Sequence, residues 1–155
     1  MRLFKILLVS LLSASSFSAW ALEEIHLHCK RYEKSYMEEY EMKIVPALAN
    51  RKAKVYLDER DLDRSDEYGH QLVKSVTLAR PKIVIWVEAS FAPEVVTGVS
   101  YPAGTVSTQI SIDTNTGKLK KTEKIQGGIL GATMGDGTRF SEEDCLLSPS
   151  PNKAK

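Results

Sequence analysis

The sequence predicts an all-β, mainly antiparallel domain: one meander forming a sandwich or small barrel, with one or two short helices allowed. Three observations predict it. Beyond residue 22 the apolar residues recur at period two rather than at the helical 3.6. Turn-forming residues separate these runs, most clearly at Asp113-Thr114-Asn115-Thr116-Gly117. Two cysteines, Cys29 and Cys145, bracket the whole alternating region.

In chain order, the first element is an export signal. Arg2 and Lys5 give a positive start, Leu3, Phe4 and Ile6 to Leu12 an apolar core, and Ala19-Trp20-Ala21 a small-x-small cleavage site. The expectation is a cleaved signal peptide over 1–21, with the working protein in the periplasm of a bacterium or secreted from it. A membrane-spanning helix needs about 20 apolar residues, and Ser10, Ser13, Ser15, Ser16 and Ser18 interrupt this run. No twin arginine precedes the core, which points to the general secretory route. Bulky His26-Leu27-His28 before Cys29 argues against lipidation.

The domain then occupies 22–147, without a repeat or linker. Ile25, Leu27 and Cys29 alternate with His26, His28 and Lys30 as a half-buried strand. Tyr40, Met42 and Ile44 alternate in the same way. There the Ser35-x-x-Glu38 capping pattern and the Tyr36/Tyr40 spacing offer a short helix at 36–44 as the alternative. A turn at 49–52 leads to a strand around Val55, Tyr56 and Leu57. Leu72 to Leu78 and the nearly continuous Ile83-Val84-Ile85-Trp86-Val87 are β-branched runs, the second reading as a central strand. Pro102-Ala103-Gly104 is a turn, and Val106 to Ile112 alternates again. Asp113 to Gly117 then makes a hairpin with Gly where positive φ is needed. Ser141 to Asp144 carries a capping pattern compatible with one turn of helix bearing Cys145. The last stretch, 148–155, holds Pro149, Pro151 and two lysines and reads as a disordered tail.

Charge and cysteine count narrow the function classes. The chain has 21 Lys+Arg against 20 Asp+Glu, and loss of Arg2 and Lys5 leaves 19 against 20. A near-neutral domain has no general attraction for nucleic acid or an anionic membrane, and no second stretch is apolar enough to span one. An even cysteine count in an exported chain reads as a disulfide, Cys29–Cys145.

Several constellations invite chemistry. His26 and His28 share one strand face and are weak zinc candidates, with His70 as a distant third ligand; a closed zinc site needs four. Asp61, Asp63 and Ser65 mimic the start of a calcium loop. Asp66 stands where that loop needs Gly and Leu72 where it needs Glu, so an acidic solvated connection over 58–67 is the expectation. Gly127, Gly128, Gly131, Gly135 and Gly137 lack the βαβ setting of a phosphate loop and read as a surface loop. Lys118, Lys120, Lys121 and Lys124 read as an edge strand defended by charge rather than a polyanion patch. Gly98-Val99-Ser100-Tyr101-Pro102 lacks the second Gly of a nucleophile elbow. No cofactor is implied. The leading expectation is an exported binding module for a protein or envelope component. A small hydrolase using His70 and convergent carboxylates is the alternative.

The opening Ile25-x-Leu27-x-Cys29-Lys30, Val55-Tyr56-Leu57-Asp58, Ile85-Trp86 and Ile110 to Leu119 resemble a set of small exported proteobacterial β proteins of uncharacterised activity. That resemblance implies a β fold with a terminal bridge. Such proteins usually carry Gly-x-Cys at the end, where this chain has Glu143-Asp144-Cys145. The bridged layout also looks like periplasmic inhibitors of C-type lysozyme, without the Ser-Gly-x-x-Tyr loop they insert into the lysozyme cleft. That likeness is one of architecture.

Overall fold

The computed structural model describes residues 23–149. The signal-peptide reading of 1–21 and most of the expected tail lie outside the described residues. Ser148 is still a strand residue, paired with His26, so the ordered wall runs one residue past the expected boundary.

The strands are β1 (Ile25–Tyr32), β2 (Met37–Val45), β3 (Lys54–Leu57), β4 (Arg60–Asp61), β5 (Arg64–Asp66) and β6 (Gly69–Ala79). After them come β7 (Lys82–Phe91), β8 (Glu94–Val96), β9 (Val99–Tyr101), β10 (Gly104–Asp113), β11 (Lys118–Gly127) and β12 (Gly137–Ser148). A short helix α1 (Gly128–Met134) joins β11 to β12. Ten strands form one antiparallel sheet in the order β4-β3-β2-β1-β12-β11-β10-β7-β6-β5, and β8 with β9 forms a separate hairpin. Consecutive long strands are neighbours, and β12 returns beside β1. The sheet is therefore an up-and-down barrel, nearly closed, with one seam between β3 and β6.

Alternation decides which side chains fill it. Ile25, Leu27 and Cys29 of β1, Met42 and Ile44 of β2, and Val55 of β3 are buried together with Ile83, Ile85, Ile112, Leu119 and Cys145. These positions lie toward the end where β1, β3, β7 and β11 begin, here the packed end. Cys29 and Cys145 sit directly opposite on β1 and β12 and are bonded inside the barrel. They are 116 residues apart in sequence, and such a closure restricts the unfolded chain by about 5 kcal/mol in the chain-entropy account. The β10–β11 hairpin is held by Asp113, whose Oδ1 accepts the Asn115 and Thr116 N–H groups, and by Gly117 at φ 66°. A Cβ on Gly117 would lie 2.7 Å from a Leu146 methyl.

The seam is closed mainly by side chains. Leu62 N–H donates to the Val55 carbonyl across one side, and the Gln71 amide donates to the Leu62 carbonyl from the other. Asp63 Oδ1 accepts the Val73 N–H at 2.7 Å, standing in for a strand partner next to the β6 bulge. Lys52 and Lys54 place their ammonium groups 2.8 and 3.2 Å from Asp63 Oδ2, as charge contacts off the hydrogen-bonding direction. Lys54 also reaches Asp61 at 2.6 Å.

Three local expectations are corrected, and the helix alternative at 36–44 is set aside in favour of the expected strand. Residues 36–44 form β2 rather than a helix, because eight residue pairs with β1, from Tyr32↔Met37 to Ile25↔Ile44, outweigh a local capping pattern. Ser141 to Asp144 belongs to β12, held between β1 and β11. The helix lies instead in the glycine-rich segment, where Gly128 packs on Gly104; a Cβ at Gly104 would stand 2.7 Å from the Gly128 Cα. Finally, the lysine-rich β11 is an interior strand of the sheet, not an edge. Lys118 and Lys120 face Asp144 and Glu142 on β12 and pair with them.

Candidate binding end of the barrel

Toward the other end the inward positions change character. The parity that buries Cys29 continues to Arg31, that of Met42 goes back to Tyr40, and that of Cys145 back to Glu143 and Ser141. On β11 it continues from Leu119 to Lys121 and Glu123. Glu143 is 3 % exposed, so its charge needs full compensation. Arg31 Nε donates to Oε1 at 2.9 Å and the Tyr40 hydroxyl to Oε2 at 2.5 Å. Arg31 also reaches Glu38 at 3.4 Å and lies 5.9 Å over the Tyr40 ring. Burial, then the bond to Glu143, push the Tyr40 hydroxyl well above the usual phenol range. Burial alone would lower the Arg31 guanidinium, but Glu143 more than reverses this and raises it.

Arg31, Tyr40, Lys121 and Glu123 ring a cup of about 150 Å³, with Gln71 also in its wall and Glu143 buried behind it. Its rim holds Arg31, Tyr40, Thr108, Lys121 and Glu123, and its floor includes Leu57, Val87 and Ile110. Lys121 and Glu123 form an ion pair at 3.3 Å and remain partly exposed. The Ser141 Oγ is enclosed beside them without a protein hydrogen-bond partner.

Nine of the fifteen exposed large apolar side chains among the described residues lie at this open end, Leu48, Leu72, Leu78, Trp86, Leu146 and Leu147 lying elsewhere. Tyr36, Tyr68, Val95 and Phe140 are 61, 61, 69 and 78 % exposed, and Tyr32, Met37, Val96, Val99 and Met134 join them. The β8–β9 hairpin stands outside the barrel sheet. Its two-residue turn has Thr97 at φ 48° and Gly98 at φ 81°, the left-handed pair that a tight hairpin requires.

The residues singled out in the sequence fall elsewhere. His26 and His28 do share the outer face of β1, where His26 meets Glu24 at 3.3 Å and His28 meets Glu41 at 2.6 Å and Glu39 at 3.4 Å. His70 is on β6, with β12, β11, β10 and β7 intervening, so the three histidines do not converge. Among the described residues no group of three or more His, Cys, Asp or Glu is placed to hold a metal ion. The Ser90 hydroxyl lies 3.0 and 3.2 Å from the two His70 ring nitrogens, facing the edge between them rather than along either lone pair. Of the carboxylates, only Asp66 lines the hollow of about 250 Å³ that His70 borders. Asp61 and Asp63 are drawn into the seam, while Asp58, Glu59, Asp66 and Glu67 stay exposed, so the acidic stretch is a solvated connection tied down at two carboxylates. Gly98-Val99-Ser100 lies on the hairpin tip. The Arg31–Tyr40–Glu143 group was missed by motif reading, although a charge at a core-parity position in each of two strands was its signal.

No protein family, no curated protein and no solved structure matches the chain.

Proposed function

We propose that this chain is an exported binding module that recognises another protein, or an envelope component, through the open end of its barrel. One observation carries the reading: most of the exposed large apolar side chains lie at that end, three of them (Val95, Val96 and Val99) on the separate hairpin. A concentration of this kind on a small domain marks an interaction site, and aromatic anchors dominate such sites. Export is supported by the signal-like residues 1–21 and by the Cys29–Cys145 bond, which suits an oxidising compartment. The hydrolase alternative has less support, since His70 faces a serine at poor geometry on the outer wall.

The test is capture from a periplasmic extract, using the oxidised protein beside a Val95→Asp/Val99→Asp variant. A defined partner should be retained by the first and lost by the second. Identical retention by both would remove the hairpin from the reading.

A narrower version is favoured by one stretch. Thr97-Gly98-Val99-Ser100-Tyr101 differs from the Ser-Gly-x-x-Tyr loop of periplasmic C-type lysozyme inhibitors by Thr97 alone, and it forms the tip and return strand of the hairpin. On this reading the hairpin enters an enzyme cleft. Cell-wall lysis by a C-type lysozyme should slow in the presence of the protein, and Tyr101→Ala should relieve the effect. Unchanged lysis at saturating protein would leave only the general reading.

A further inference from the structure

We propose that the cup is a binding site for a zwitterionic small molecule of amino-acid size, its apolar side chain seated on the floor. This goes beyond the recognition of a macromolecule by the outer hairpin and rests on different residues.

The charge pattern selects the class. Two cations, Arg31 and Lys121, and two anions, Glu123 and Glu143, face inward at this level. A ligand of net charge would meet one like-charged pair with no surplus field to compensate, whereas a molecule bearing both signs meets complementary groups. The two pairs are not equivalent. Glu143 is buried and held by both Arg31 and Tyr40, so that group is fixed. Lys121 and Glu123 retain 21 and 31 % side-chain exposure, and a pair so exposed holds weakly and can be exchanged for ligand charges. The ligand carboxylate takes Lys121 and its ammonium takes Glu123.

Hydroxyl groups flank both positions. Ser141 lies opposite Lys121 in the β11–β12 register, with its Oγ enclosed rather than open to the cup. Thr108 lies opposite Glu123 in the β10–β11 register. Below them, Leu57, Val87 and Ile110 offer an apolar surface beside the Gln71 amide, whose NH2 is already given to the Leu62 carbonyl. The volume of about 150 Å³ matches a cavity that takes a six-carbon ring, the size of a branched aliphatic side chain.

The experiment is an amide NMR titration of the oxidised protein with leucine. Three companions divide its chemistry: isocaproate (carboxylate alone), isoamylamine (ammonium alone) and glucose (neutral, hydroxylated). Leucine should give saturable shifts at Thr108, Lys121, Glu123 and Ser141. Each single-charge analogue should bind at least about tenfold more weakly, the loss expected for one charge-assisted hydrogen bond. Lys121→Met and Glu123→Gln should reproduce that loss with unchanged thermal unfolding, and Val95→Asp/Val99→Asp should leave the titration as it is. The proposal is overturned if leucine gives no saturable shifts, if either single-charge analogue binds as well as leucine, or if glucose alone saturates the site.

Discussion

Removing the Asp63 carboxylate should open the barrel at its seam. In Asp63→Ala the Val73 N–H loses its acceptor, and an unsatisfied enclosed amide costs about 1–3 kcal/mol. The charge contacts to Lys52 and Lys54 are also lost. Both lysines are partly exposed, at 56 and 35 %, so each adds only about 0–1 kcal/mol. The sum is a destabilisation of about 1–5 kcal/mol. With a urea m-value of about 2 kcal/mol/M for a domain of this size, the midpoint falls by about 0.5–2.5 M. Asp63→Asn keeps a carbonyl oxygen for Val73 and loses only the charge, so it should cost less than half as much. Acidity gives an independent check. Burial alone would raise the Asp63 carboxyl, but the Lys52 ammonium, the Val73 N–H and the Lys54 ammonium hold it below its ordinary 3.8. A carboxyl held low stabilises the fold above its unfolded value, and that contribution disappears as the pH falls toward the folded one. Wild type should therefore lose stability below about pH 4 more steeply than Asp63→Asn. Urea unfolding followed by near-ultraviolet circular dichroism, at neutral and acid pH, reads both effects. Equal midpoints for wild type and Asp63→Ala, or equal losses for Asn and Ala, would refute the argument that this oxygen replaces a strand partner.

Other perturbations have equally definite signs. Glu143→Ala strands a part-buried guanidinium and a tyrosine hydroxyl and should cost about 3 kcal/mol, whereas Arg31→Met/Glu143→Leu should recover most of that in a chemical-denaturation series. Tyr40, raised by burial and Glu143, should stay neutral when the exposed tyrosines ionise near pH 10, as read by phenolate absorbance. Because its folded value is raised, its contribution is complete below pH 10 and lost as the pH rises from there toward that value, so Tyr40→Phe should flatten the alkaline limb of stability. Gly69→Ala would put a Cβ 2.0 Å from the Ser90 carbonyl oxygen, while Gly98→Ala meets nothing within 4 Å. Both carry the left-handed penalty of about 1 kcal/mol, so thermal unfolding should drop clearly further for Gly69→Ala.

What the sequence revealed was governed by distance along the chain. The β1 alternation and the Asp113–Gly117 hairpin were legible because period two and an Asx turn are local facts. Residues 36–44 were ambiguous for the converse reason: Ser35 and Glu38 make a local helix signal, and β1 supplies the decisive strand partner. Helix α1 was hidden by its glycines, which disfavour helix intrinsically; it is placed by the close approach of Gly104 and Gly128. The β11 lysines were misread because sheet order is not written in a strand, and Lys118 and Lys120 take their partners from β12. The cup followed the same rule. Arg31 and Glu143 stand at core parity in their own strands but are 112 residues apart, so only the β1–β12 pairing joins them.

That pairing also sets a clock. The first and last strands of the described residues are neighbours in the wall, so β1 carries an open edge until β12 pairs with it. Contacts of such long sequence separation form late and slowly. Cys29 lies at the junction that closes last and is fully enclosed once it closes. Because its partner Cys145 arrives on β12, loss of the Cys29 thiol to the disulfide reports that the two ends of the wall have met.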